Sequence, residues 1–242
     1  MKLKKSENVE EKGVKNTPAK SKKNKPVPVT NYFLFDFVKV TGAIPTLLFF
    51  RPKIIYAYGK KAANVKGGML VSSNHIGFAD PIILNCVFYK RRLHSLAMTE
   101  LYSSPLRKWF FDRMHCIPVD RKNFTMRSLH QVNYYLAKEK AVAIFPEGQI
   151  NPDRQTDVKA FKSGVILMAL KNDKPILPIY IVKRKKWYNR QIVVVGKPFN
   201  VKDVCGKIPS VDQLNRASEL LHESEVELMN FYNANYKNKG EI

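Results

Sequence analysis

His75 and Asp80 are the pair of residues in this 242-residue chain best suited to acid–base chemistry. They stand five positions apart in Asn74-His75-Ile76-Gly77-Phe78-Ala79-Asp80, with Gly77 between them. An imidazole oriented by a carboxylate is a general base suited to neutral pH. Five positions on an α-helix rotate by about 500°, which would put the two side chains on different faces. They can act together only if the chain turns between them. Taken alone, the spacing fits equally well a helix-capping aspartate beside a histidine bonded to backbone.

The flanking elements supply the turn. Met69–Ser72 reads as a short strand running into His75. Pro81 holds the preceding residue extended and suits the first helical position, so Asp80 is expected as the N-cap of a helix from Pro81 to about Tyr89. His75 then lies in a strand-to-helix loop, where chemistry is commonly placed. Further strands are expected at Ser95–Met98, Ile117–Val119, Ala141–Phe145, Ile176–Val182 and Ile192–Val195. Helical patterns cover Pro105–Arg113, Met126–Lys138, Phe161–Lys171 and residues 211–236. In the last of these, Leu214, Ala217, Leu221, Leu228 and Phe231 form a stripe expected to pack on the sheet; a short coiled coil is the alternative. Alternation of this kind predicts an α/β fold, a mixed sheet covered by helices.

Three further stretches accompany the His-x4-Asp pair. Cys116-Ile117-Pro118-Val119-Asp120-Arg121 ends a strand in an arginine. Phe145-Pro146-Glu147-Gly148 follows a strand and precedes Phe161-Lys162-Ser163-Gly164, and Pro175-Ile176-Leu177-Pro178-Ile179 is proline-containing. In this order and spacing they resemble the four motifs of the glycerolipid acyltransferases, the family of 1-acylglycerol-3-phosphate acyltransferase, over residues 55 to 200 or so. Each block is weak alone, and the ordered set is specific.

The resemblance implies acyl transfer from a thioester to a lysolipid hydroxyl within a ternary complex, without a covalent enzyme intermediate. His75 would be the base and Asp80 its orienter. The acceptor, 1-acylglycerol-3-phosphate, carries a phosphate, and the planar guanidinium of Arg121 suits it. Gly148 permits a tight turn and close backbone approach. Glu147 is expected either to orient Arg121 or to accept a bond from a glycerol hydroxyl, and Lys162 adds positive charge. Acyl-coenzyme A and acyl carrier protein both remain open as donor, and no metal or cofactor is expected. The chain departs from the family after Phe145-Pro146-Glu147-Gly148, where Thr-Arg-Ser is usual and Gln149-Ile150-Asn151 stands instead. One phosphate contact is therefore missing or moved, to Arg154, Lys159 or Lys162, and a lysolipid with another head group is the nearest alternative acceptor.

Composition sets the remaining bounds. With 45% hydrophobic residues the chain is globular, and its length suits one α/β domain with appendages. The net charge of +22, from 42 Lys and Arg against 20 Asp and Glu, calls for an anionic partner. Cys86, Cys116 and Cys205 lack zinc or disulfide spacing and suit a reducing compartment. Cys116, in an apolar strand, reads as a buried thiol rather than a nucleophile. Gly-x-Ser-x-Gly is absent, so a serine-hydrolase reading lacks its nucleophile elbow.

Residues 1–30 hold nine lysines and three glutamates and read as a disordered basic arm for anionic head groups. Residues 31–53 read as a membrane-associating segment, and 54–242 as the acyltransferase domain. Tyr32–Phe50 is 19 residues, near the length of a span, but it carries Asp36, Lys39 and Pro45. Asp36, Lys39 and Thr46 share one helical face, which predicts a kinked amphipathic element in the interface rather than a clean span. An N-terminal helical anchor is also what the resemblance implies. The expected location is the cytoplasmic face of a membrane, on an anionic lipid surface. A nucleic-acid-binding protein is the remote alternative raised by charge alone, and no binding motif supports it.

Overall fold

The structure, a computed structural model, describes residues 31–120, 125–151, 164–206 and 209–237. Its frame is a seven-stranded sheet in the order β1-β7-β6-β2-β5-β3-β4. The strands are β1 (Lys53–Tyr56), β2 (Met69–Ser73), β3 (Leu93–Met98), β4 (Ile117–Val119), β5 (Ala141–Ile144), β6 (Ile176–Ile181) and β7 (Ile192–Val195). β6, β2, β5, β3 and β4 run parallel; β7 is antiparallel to β6 and parallel to β1. The sheet is mixed, as the sequence pattern predicts.

Alternation along the strands explains why the sheet is covered on both sides. Leu70, Val142, Ile144 and Ile176 face one layer, while Met69, Val71, Ala141, Ala143, Leu177 and Ile179 face the other. Every residue of β2, β5 and β6 is buried, which is why these strands read as continuous apolar runs. The first layer is built by α4 (Met126–Ala137), α5 (Gly164–Asn172) and α7 (Val211–Asn235). The second receives Ile83 and Leu84 of α2 (Asp80–Val87). Helix α3 (Pro105–Arg113) starts on a Ser104 cap and buries none of its residues. The short α6 (Lys202–Cys205) and β1 carry no pattern strong enough for a sequence reading.

Helix α7 begins with a reciprocal capping box between Ser210 and Gln213. Its Ala217 and Leu221 enter the core and Leu228 packs on Tyr180 and Val194, so the stripe serves the sheet and not a coiled coil. Glu225 is fully buried and accepts a bond from Ser72 Oγ at 2.7 Å, fixing α7 to the end of β2.

The apolar N-terminal segment forms one helix, α1 (Phe33–Phe50), which continues through Pro45. The polar face of the expected amphipathic element packs on the domain. Asp36, Lys39 and Thr46 turn toward the domain and not toward head groups. Arg92 grips the Asp36 carboxylate with two bonds, at 2.9 and 2.6 Å. Lys39 Nζ donates to the carbonyls of Phe88, the residue that caps α2, and of Arg91 in the turn that follows. Thr46 and Phe35 are buried. The opposite face, including Phe33, Phe37, Val40, Ile44 and Leu48, is exposed. By length and hydropathy α1 could cross a membrane, but one face of it is occupied by protein.

Candidate active site

In a parallel sheet, loops leaving the carboxyl ends of adjacent strands converge. β2 and β5 are neighbours, with Ser72 beside Ile144. The loop after β2 carries His75, and the loop after β5 carries Phe145-Pro146-Glu147-Gly148. The two meet directly. The imidazole of His75 stacks on the Phe145 ring, with centroids 4.2 Å apart and planes inclined by 21°. Asn151 N donates to His75 O at 2.8 Å, so Phe145 and Asn151 of the second loop both bear on the histidine.

The His75–Asp80 pair forms as its spacing suggests. His75 Nδ1 donates to Asp80 Oδ2 at 2.7 Å. The same oxygen accepts from Ile76 N at 2.7 Å and Gly77 N at 2.9 Å. The local account differs from the expected N-cap in one respect. Asp80 is the first residue of α2, Ala79 holds the cap position, and the carboxylate reaches back into the loop instead of forward along the helix. The loop amides claim the carboxylate because they wrap round it in the tight bend at Gly77. Asp80 therefore folds the loop and aims the imidazole at once. Its side chain is 2% exposed against 16% for His75, so the carboxylate is sheltered and the imidazole reachable.

Behind His75 the loop is fixed by Asn74, which is buried. Its Nδ2 donates to Ile181 O at 2.9 Å and its Oδ1 accepts from Ile181 N at 2.7 Å, joining the loop to the end of β6. With Nδ1 committed to Asp80, Nε2 is the nitrogen left for proton transfer, and His75 sits in the wall of a cleft of about 1730 Å³. Residues of α1, α2, α3 and α5, together with Phe145 and Gly148, complete that wall. The lining is largely apolar, the surface an acyl chain requires.

Among the other predicted positions, Gly148 has φ +67 and closes a turn onto Phe145 O at 3.0 Å, a conformation that favours glycine. Glu147 is buried in that turn. Ile150, standing where the motif usually has arginine, lines the cleft. Arg121, Lys162, Arg154 and Lys159 lie outside the described residues; Asp120, which precedes Arg121, is in the cleft wall. Burial pushes the Cys116 thiol up to about 12, which excludes it as a nucleophile at neutral pH. No group of three or more His, Cys, Asp or Glu among the described residues is arranged to hold a metal ion.

Sequence reasoning missed Phe145 and Asn74 as positioning residues. Phe145 stands in the Phe-Pro-Glu-Gly motif, where the glutamate and glycine carry the recognisable chemistry. Asn74 gave no signal, because its partner is 107 positions away.

Comparison with known proteins agrees with this geometry. A model of the Acyltransferase family matches residues 54–182. A probable 1-acyl-sn-glycerol-3-phosphate acyltransferase of Mycoplasma pneumoniae is 34% identical over 126 residues, 48% of this chain and 45% of the relative. The 1-acyl-sn-glycerol-3-phosphate acyltransferase of Borreliella burgdorferi is 26% identical over 164 residues, 65% of this chain and 63% of the relative. The chain thus matches between about half and just under two thirds of the length of these curated relatives. The crystal structure of the 1-acyl-sn-glycerophosphate acyltransferase from Thermotoga maritima superposes with a TM-score of 0.56 at 20% identity, covering 81% of this chain and 78% of that one, and so shares its fold. With the family's match spanning more than half of its length and the His75–Asp80 pair formed, the chain belongs to the Acyltransferase family.

Proposed function

We propose that the protein transfers a fatty acyl group from a thioester to the free hydroxyl of 1-acylglycerol-3-phosphate, giving phosphatidate for phospholipid synthesis. The observation that carries this reading is the His75–Asp80 pair set in the wall of a large apolar cleft. His75 Nε2 takes the hydroxyl proton as the oxygen attacks the thioester carbonyl. The tetrahedral intermediate then collapses, the carbon–sulfur bond breaks, and the leaving thiolate takes the proton from the imidazolium. Asp80 stabilises that imidazolium and holds the tautomer with hydrogen on Nδ1. Arg121 and Lys162 would neutralise the acceptor phosphate. Glu147 orients Arg121 or accepts from the glycerol, and Gly148 shapes the turn. The donor is acyl-coenzyme A or acyl carrier protein, and the enzyme works on the cytoplasmic face of an anionic membrane, held through α1 and the basic arm.

A second reading, transfer to a lysolipid with another head group, is favoured by Ile150, which presents an apolar side chain to the cleft where the family's motif has arginine. One assay decides between them. Purified protein is given lysophosphatidate or neutral lysolipids with each donor, and products are identified by mass spectrometry. Phosphatidate formation is expected. Acylation of a different lysolipid alone would replace the first reading with the second, and no ester from any acceptor would overturn both.

A further inference from the structure

The turn between β6 and β7, residues 183–190, reads Lys-Arg-Lys-Lys-Trp-Tyr-Asn-Arg and contains five cations and no acid. Lys183, Lys185, Lys186 and Arg190 are exposed, and so are Trp187 at 71% and Tyr188 at 50%. Two adjacent large aromatics turned to solvent among cations are unusual on a soluble surface. The loop is nevertheless firmly seated. Arg184 lies over the rings of Phe49 and Phe50, 4.9 and 4.6 Å from their centroids, and donates to Trp187 O at 2.6 Å. Trp187 stacks on Phe49 at 6.4 Å, and Arg51 donates to Tyr188 O. Arg190 returns a bond to Arg51 O at 3.2 Å. Apart from the Arg184–Trp187 bond within the loop, each of these contacts falls on the end of α1 or the residue after it.

The loop is therefore a lateral continuation of the exposed apolar face of α1, whose Leu47 and Leu48 lie exposed at the same end. Tryptophan and tyrosine prefer the head-group level of a bilayer, and lysines beside them favour anionic lipid. A nucleic acid or an acidic peptide would complement the cations but not the adjoining Leu, Phe and Trp. We propose that residues 183–190 form a second membrane contact, inserting Trp187 and Tyr188 among the head groups of anionic phospholipids. This fixes the rotation of α1 on the bilayer. It rests on the membrane-surface location proposed above.

The chain has two tryptophans, Trp109 and Trp187, so the contact can be read directly. In full-length protein carrying Trp109→Phe, emission from Trp187 should shift to the blue on adding phosphatidylglycerol–phosphatidylcholine vesicles. Lipids brominated near the head group should quench it more than lipids brominated deep in the chain. The vesicle-induced shift of the wild-type protein should fall in Trp187→Phe. Lys185→Glu with Lys186→Glu should weaken partition onto anionic vesicles at least tenfold at low salt, with transfer to detergent-dispersed acceptor unchanged. Unshifted Trp187 emission while the protein sediments with the vesicles would overturn the proposal, as would a shift produced only by duplex DNA. A preserved shift in protein lacking transfer activity supports the contact and counts against the acyltransfer reading alone.

Discussion

Two histidine regions lie within one molecule, and only one of them is equipped for chemistry. His75 sits in the loop after β2, bonded to a sheltered carboxylate and reachable from the cleft. His94 sits within β3, fully buried, stacked on Tyr135 with centroids 4.0 Å apart. Its bonds are to the His115 carbonyl at 3.2 Å and the Tyr32 hydroxyl at 3.4 Å, with no carboxylate among them. Burial pulls its pKa down to about 3. The imidazole is the same; the difference is made by a carboxylate that orients it and an opening onto the cleft. His94 and His115 instead form an aromatic socket for Tyr32 and Phe35 at the start of α1.

Removing the imidazole at each place should separate the two roles. His75→Ala should lower kcat by about 10³-fold, within the range typical of a general base, while the thermal midpoint stays close to wild type. A loss of less than threefold would remove His75 from the mechanism. Asp80→Asn should also cut kcat, by about 10²-fold, since an amide aims the imidazole poorly. It should destabilise as well, by about 1–3 kcal/mol, because one oxygen of the buried Asp80 carboxylate now serves Ile76 N and Gly77 N. Denaturant titration of both variants tests the contrast: only Asp80→Asn should move the midpoint.

At His94 the expected effect is on stability alone, and it depends on pH. The folded chain refuses a proton down to about pH 3, whereas the unfolded chain accepts one below about 6.5. As pH falls through that window the unfolded state gains, and folding loses about 1.4 kcal/mol per pH unit from this group. His94→Phe keeps a ring against Tyr135 and removes the proton site. Its stability should fall less steeply between pH 6 and 4 than that of wild type, although it is lower at pH 7. Equal slopes would show that His94 is protonated in the folded protein.

The sequence reading succeeded where cause and effect lie close together along the chain. β2, α2 and the His75–Asp80 turn depend on residues within about a dozen positions, and strand alternation marks both faces of the sheet. It misplaced what depends on distant partners. Asp36 and Lys39 share one face of an apolar helix, but nothing near them in sequence shows that their partners are Arg92, Phe88 and Arg91, about fifty positions on. Asn74 was invisible for the same reason. Asp80 does not cap α2 as its sequence context predicts, because the amides of Ile76 and Gly77 before the helix hold the carboxylate in place of those inside it. β1, four residues long and following directly on α1, offered no turn signal.

The Asp36–Arg92 pair gives the smallest expected effect and sharpens the contrast with Asp80. Both are aspartates with a nitrogenous partner, but Asp36 and Arg92 are each close to half exposed. The Arg92 guanidinium lowers the Asp36 pKa chiefly by hydrogen bonding, so whatever the pair contributes is present above the usual carboxylate range and fades as pH falls below it. Water screens such pairs, and their measured worth is about 0.2–1 kcal/mol. Asp36→Asn should therefore cost no more than that at pH 7 and less at 0.5 M salt, with kcat on dispersed acceptor unchanged. What it should alter is the fraying of α1, because Arg92 is one of only a few polar clasps on that helix, alongside the carbonyls gripped by Lys39. Hydrogen exchange of amides 37–42 should quicken in Asp36→Asn while those of β2 stay unchanged. Equal protection in both proteins would mean that Lys39, Phe35 and Thr46 suffice to dock the helix.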